Sequence, residues 1–135
     1  MPTRVKICGI TRIEDAAAAC AAGADALGFV FHAPSPRNIE PEAAREIIAR
    51  IPPFVATVGL FVDCAAGEVE RVVARVPLDV LQFHGEETPQ FCERFGRPYI
   101  KAVPMRPEVD LLECARRFVN ARGLLLDAYV SGAHG

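Results

Sequence analysis

Apolar residues along the chain fall into two alternating patterns, short continuous runs and stretches with helical spacing. The runs are Val5-Lys6-Ile7-Cys8, Ala26 to Phe31, Thr57 to Val62, Val80-Leu81-Gln82-Phe83, Tyr99 to Val103 and Leu124 to Asp127. Each has the length and apolar content of a strand. Between the first two, Thr11-x-x-Glu14 reads as a capping box opening an Ala-rich helix that Gly23 is placed to end. The second run leads into His32-Ala33-Pro34-Ser35-Pro36-Arg37-Asn38, a loop stiffened by two prolines. Pro41 suits the first turn of a helix with Ala44, Ile47, Ile48 and Ile51 on its apolar face. Val69, Val72, Val73 and Val76 share a face of the next helix. Pro89 opens another that runs to about Phe95, with Gly96 after it, and Asp110-x-x-Glu113 opens one bearing Leu111, Cys114, Ala115 and Phe118. Strands alternating with helices in units of about 20–30 residues predict a parallel sheet with right-handed crossovers.

Composition narrows the class. With 135 residues, 51% of them hydrophobic, and a mean hydropathy of +0.20, the chain is expected to form one core-bearing domain, residues 1–135. A net charge of -2 and the lack of any basic run speak against a nucleic-acid partner. No apolar stretch is long enough to cross a bilayer, since the Ala-rich segment from Ala16 is interrupted by Asp25. The residues before Val5 are too few for a secretory signal. Five widely spaced cysteines with no C-x-x-C argue against a disulfide framework or a zinc knuckle. They favour a reducing, cytoplasmic setting.

Polar residues separate the two architectures that fit, an open doubly wound sheet and a (βα)8 barrel. Strands of an open sheet covered on both sides are apolar on both faces. A barrel keeps one face inward and carries functional groups at the carboxyl ends of its strands. Lys6 with Cys8, Gln82 with His84, Lys101 and Asp127 all occupy strand or strand-end positions, and the first two pairs have same-face spacing. That pattern favours a pocket over a barrel, although a whole barrel takes about 200 residues or more.

These segments together resemble the phosphoribosylanthranilate isomerase family, (βα)8-barrel (TIM-barrel) enzymes of tryptophan biosynthesis. The resemblance is carried by Lys6-Ile7-Cys8-Gly9-Ile10-Thr11, Gly23-Ala24-Asp25 with Gly28-Phe29-Val30-Phe31, and Ser35-Pro36-Arg37. It continues through Val58-Gly59-Leu60-Phe61-Val62, Leu81-Gln82-Phe83-His84-Gly85-Glu86 and Leu124-Leu125-Leu126-Asp127-Ala128. The family goes on with a Gly-Thr-Gly segment and two further βα units that carry its phosphate-binding loops. The resemblance therefore implies an α/β parallel barrel of which this chain covers five βα units and the sixth strand. The domain is then expected to be incomplete at its carboxyl end, with the phosphate-binding residues beyond Gly135.

The implied reaction is an Amadori rearrangement of N-(5-phosphoribosyl)anthranilate, an acid–base isomerisation that requires neither cofactor nor metal. The implied partner is a small phosphorylated substrate, on a cytoplasmic monomer or homodimer without membrane or nucleic-acid contacts. Cys8 matches the family's general base; a free thiol has a pKa of about 8.5, which a neighbouring cation lowers. Lys6, two residues back on the same face, is the candidate for that cation and for a substrate contact. Asp127 matches the general acid, and burial beyond Leu124-Leu125-Leu126 is expected to favour its protonated form. Arg37 matches an arginine that stacks on the anthranilate ring and pairs with its carboxylate. His84 is expected to line the pocket. Lys101 and Gln82 are expected to face the barrel interior, where such groups also serve packing alone. Glu86 and Glu87 read as acidic residues favouring a helix amino end, and Cys20, Cys64, Cys92 and Cys114 as structural. Two other readings stay open: another sugar-phosphate barrel enzyme, and a non-catalytic fragment or binding module.

Overall fold

The computed structural model describes residues 2–129, so the Ser131–Gly135 stretch lies outside the described residues. The elements run β1 (Lys6–Cys8), α1 (Ile13–Ala21), β2 (Ala26–Val30), α2 (Pro41–Ile48), β3 (Ala56–Phe61) and α3 (Ala66–Arg75). They continue with β4 (Val80–Phe83), α4 (Pro89–Glu93), β5 (Tyr99–Pro104), α5 (Leu111–Arg117) and β6 (Gly123–Asp127). All strands pair in parallel, in the order β1-β2-β3-β4-β5-β6. Every crossover therefore steps one strand in the same direction, whereas a doubly wound sheet reverses its order at a switch point. One-way winding puts all helices on one side and is that of a (βα)8 barrel. The described residues supply five βα units and a sixth strand, as the sequence pattern leads one to expect.

Registered parallel pairing sorts the side chains into two faces. Leu27, Phe29 and Phe31 of the second run, Phe61, Leu81, Phe83 and Tyr99 point toward the helices and form the core with Ala16, Ala44, Ile47, Val69, Val72, Cys92, Phe95 and Phe118. Rings connect neighbouring units: Phe31 to Phe61 at 5.6 Å, Phe61 to Phe83 at 6.0 Å, and Phe83 to Tyr99 at 6.0 Å. Burying one such side chain contributes about 1.5–3 kcal/mol, so this ladder adds to the backbone pairing that ties successive units together. The opposite face carries Cys8, Gly28, Leu60, Gln82, Ala102 and Asp127, residues that alternate with the core positions.

Helix ends follow the sequence signals with two exceptions. Asp110 caps α5 by accepting from the Leu112 and Glu113 amides at 3.0 and 3.2 Å, and Pro41 opens α2. Gly23, at φ +93°, closes α1 while the Ala24 amide reaches back to the Ala19 carbonyl. The expected Thr11 capping box does not form. Arg12 occupies the N-cap position without a side-chain bond, so the helix starts one residue too late for Thr11 to reach its free amides. The helix from Pro89 is also shorter than expected, ending at Glu93.

Lys101 departs from expectation. Its register partner is Phe83, which places it on the helix side rather than in the barrel interior. There it forms a buried ion pair with Glu87, the two side chains being 6% and 3% exposed. A buried ammonium needs acceptors, and Lys101 Nζ donates to the carbonyls of Gly85 (2.5 Å) and Ala102 (3.2 Å) and to Glu87 Oε1 (3.4 Å). The Phe118 ring lies 5.6 Å from the same nitrogen. Glu87 accepts from the Gly85 and Asp63 amides, both at 2.8 Å, and Asp63 accepts from the Glu86 amide at 2.8 Å. Glu87 is thus far more than an acidic residue near a helix end: it joins the loops after β3 and β4 to β5. Gly85 is required here, since a Cβ at that position would lie 2.6 Å from the Asp63 carboxylate.

At the other end of the sheet, β1 is held partly by Asp25. Its carboxylate accepts from the Val5 amide and from Arg4 Nη1, each at 2.8 Å. The backbone bond first, and the guanidinium second, hold Asp25 below its ordinary value of 3.8. A depressed carboxylate pKa contributes stability above the unfolded value and loses it as pH falls through the folded one.

Two outcomes are expected. Lys101→Met leaves the Glu87 charge buried and unpaired and should cost about 3–5 kcal/mol in urea unfolding. Adding Glu87→Gln should recover a large part of that loss; a single mutant as stable as wild type would mean the pair anchors nothing. Acidification below pH 3.8 should release β1 early, seen as faster exchange of the Val5 and Gly9 amides. Asp25→Asn should remove this pH dependence.

Candidate active site at the carboxyl ends of the strands

Cys8 is the last residue of β1 and lies opposite Gly28 of β2. A Cβ at position 28 would come within 2.9 Å of Cys8 Sγ, so the absent side chain makes room for the thiol. The chain then turns through Gly9 at φ +86°, a conformation suited to glycine. The amides of Gly9 and Ile10 both donate to the Gly28 carbonyl at 3.0 Å, which fixes the strand end. Lys6 shares the half-buried face of Cys8, as alternation requires, and forms no hydrogen bond or ion pair among the described residues.

Arg37 reaches this corner from the loop after β2. Ser35 shapes that loop by accepting from the Arg37 amide through Oγ (3.1 Å) and from the Asn38 amide through its carbonyl (3.1 Å). The Arg37 side chain then crosses Gly9, where a Cβ would lie 2.5 Å from Arg37 Cδ, and Nη1 donates to the Cys8 carbonyl at 3.1 Å. The guanidinium is thereby tied to the backbone of the thiol-bearing residue, 29 positions earlier in sequence.

A second group lies across the same face. His84 follows β4, its amide tied to the Phe61 carbonyl at 2.9 Å. Its Nε2 is 2.9 Å from Asp127 Oδ2 at the end of β6, and its Nδ1 is 3.0 Å from Gln82 Nε2. Asp127 departs from the sequence reading: its side chain is 40% exposed rather than buried, because β6 pairs only with β5 among the described strands. What acts on its carboxyl group is the imidazole of His84. Gln82 faces inward as expected, yet it is engaged with His84 rather than serving packing alone. The i, i+2 spacing of the two residues on one strand was the available signal for that contact. The rim thus offers a thiol, a hydrogen-bonded carboxyl group and a fixed cation, which suits proton transfer on an anionic ligand.

Comparison with known proteins accords with this geometry. The family model described as N-(5'-phosphoribosyl)anthranilate (PRA) isomerase matches residues 5–135. An N-(5'-phosphoribosyl)anthranilate isomerase of Alcanivorax borkumensis is 61% identical over 132 residues, 98% of this chain and 61% of that protein. Among solved structures, phosphoribosyl anthranilate isomerase from Thermus thermophilus superposes with a TM-score of 0.88 at 47% identity, over 97% of this chain and 65% of that one. A phosphoribosyl anthranilate isomerase in complex with reduced 1-(o-carboxyphenylamino)-1-deoxyribulose 5-phosphate gives 0.86 at 41% identity, over 95% and 66%. The chain spans slightly less than two thirds of the length of these relatives.

The other cysteines are distinct from Cys8. Cys92 is fully buried in the core, and burial first, then the Glu87 charge, pushes its thiol up to about 12. Burial also raises Cys64. Since only the thiolate reacts, iodoacetamide at pH 8 should leave Cys92 unmodified in the folded protein and modify Cys64 slowly. Peptide mass spectrometry reads both, and rapid native alkylation of Cys92 would contradict its place in the core.

Proposed function

Because the chain belongs to the N-(5'-phosphoribosyl)anthranilate isomerase family, we propose that it performs the acid–base chemistry of that isomerisation in tryptophan biosynthesis. The substrate is N-(5-phosphoribosyl)anthranilate and the product 1-(2-carboxyphenylamino)-1-deoxyribulose 5-phosphate. The observation that carries the reading is the placement of Cys8 and the His84-bound Asp127 on one face, at the carboxyl ends of parallel strands.

In this mechanism Asp127 gives its proton to the furanose ring oxygen. The bond from that oxygen to C1 breaks, and the nitrogen lone pair forms the iminium ion. The Cys8 thiolate then takes the proton from C2, and that electron pair neutralises the iminium as an enolamine. Tautomerisation yields the ketone. Protons move and no net oxidation occurs, so the steps call for no redox cofactor. Arg37, held over Gly9 beside Cys8, meets the carboxylate and ring of the anthranilate. Lys6 supplies positive charge on the Cys8 side, and His84 holds Asp127 in place. The same proposal makes the protein a cytoplasmic monomer or homodimer. Five free cysteines agree with a reducing compartment, and no described helix is long and apolar enough to cross a membrane.

Turnover is followed by loss of anthranilate-type fluorescence from freshly prepared substrate. Cys8→Ala and Asp127→Asn should each lower kcat by about 10²–10⁴-fold. Arg37→Ala should act mainly through KM. Unchanged rates in both Cys8→Ala and Asp127→Asn would sink this reading.

A further inference from the structure

The contact between Gln82 and His84 does more than fill space. Gln82 is 1% exposed, and its Nε2 lies 3.0 Å from His84 Nδ1. An amide NH₂ can only donate, so the Nδ1 it faces must carry a lone pair. A neutral imidazole without a proton on Nδ1 has its proton on Nε2, the atom 2.9 Å from Asp127 Oδ2. The reverse amide orientation is less favourable. Gln82 Oε1 is buried without a partner among the described residues, and turning the amide over would bury an unpaired NH₂ in its place. A lone buried carbonyl oxygen is better tolerated than orphaned donors.

We infer that Gln82 is a positioning residue that holds His84 as the neutral Nε2–H tautomer, so that Asp127 receives a hydrogen bond without facing a cation. The inference rests on the acid role proposed for Asp127. An imidazolium at this distance would stabilise the carboxylate strongly and hold Asp127 in the form that has no proton to give. A neutral donor instead occupies Oδ2 and leaves Oδ1 free for the proton that the ring oxygen receives. Gln82 acts through His84 and touches neither reacting atom.

The test is nitrogen-15 spectroscopy of the imidazole rings of the intact protein, combined with kinetics. Of the three histidines, at 32, 84 and 134, His84 is identified by the signals lost in His84→Asn. Wild type should show Nε2 protonated and Nδ1 bare. Gln82→Leu, which removes the donor, should lose that preference and lower kcat at least ~10-fold with KM little changed, as other residues that set a histidine tautomer do. Gln82→Glu, nearly the same shape, should place a proton on Nδ1, because that nitrogen then faces an acceptor. A wild-type ring with a proton on Nδ1, or a folded Gln82→Leu protein with unchanged ring signals, would overturn the inference. If Gln82→Leu does not fold, Gln82→Glu decides, and a ring whose Nδ1 stays bare there overturns it equally. The two proposals fail separately. Full turnover in Asp127→Asn removes the acid role whatever the ring shows, whereas loss in Asp127→Asn with a wild-type rate in Gln82→Leu removes only the role of Gln82.

Discussion

Parallel strands pair in register, and each strand sends alternate residues to opposite faces. Everything else in the molecule depends on that constraint. It places Phe61, Phe83 and Tyr99 in one aromatic ladder under the helices, and it brings Cys8, Gln82, His84 and Asp127 to the other side. A slip of one residue in β4 would send Gln82 into the apolar core and Phe83 to the rim, losing the core and the site together. The large buried surface of the ladder makes such a slip costly, so the site's geometry rests on the packing behind it.

The two polar clusters at the carboxyl ends differ in purpose. Lys101, Glu87 and Asp63 form a closed set on the helix side, with the buried charges answered by backbone groups from neighbouring loops. A buried pair of this kind adds little net stability over an apolar replacement, but it punishes any arrangement that separates the partners. It therefore holds the loops after β3 and β4 in one position. The set of Gln82, His84 and Asp127 is more open, and its carboxyl group stands half in solvent, where a ligand can reach it. A rigid knot behind and an accessible donor–acceptor chain in front is the arrangement expected where proton transfer needs a fixed geometry.

The glycines that matter are those where a second group occupies the space of a side chain. Gly28 yields to the Cys8 thiol, Gly9 to the Arg37 side chain and Gly85 to the Asp63 carboxylate. Each joins two segments distant in sequence, and each sits at or just beyond a strand end. Small residues here set how closely functional groups approach.

The alternation of apolar runs and helical stripes by itself determined the parallel α/β class, the unit boundaries and most helix ends, because hydrophobic period and capping chemistry are local. Same-face spacing on single strands also paired Lys6 with Cys8 and Gln82 with His84. Only the tertiary structure decided which side of the sheet each polar residue took, since that follows from registers between strands about 20 residues or more apart. Lys101 is the clearest case: as one polar residue in an apolar run it looks like an interior group, and only its pairing with Phe83 turns it outward to Glu87. Asp127 is another. Its apolar lead-in suggested burial, but burial depends on what flanks β6, and the partner it found was an imidazole 43 residues away. Alternation settles which residues share a face of one strand; the register between strands settles which groups meet.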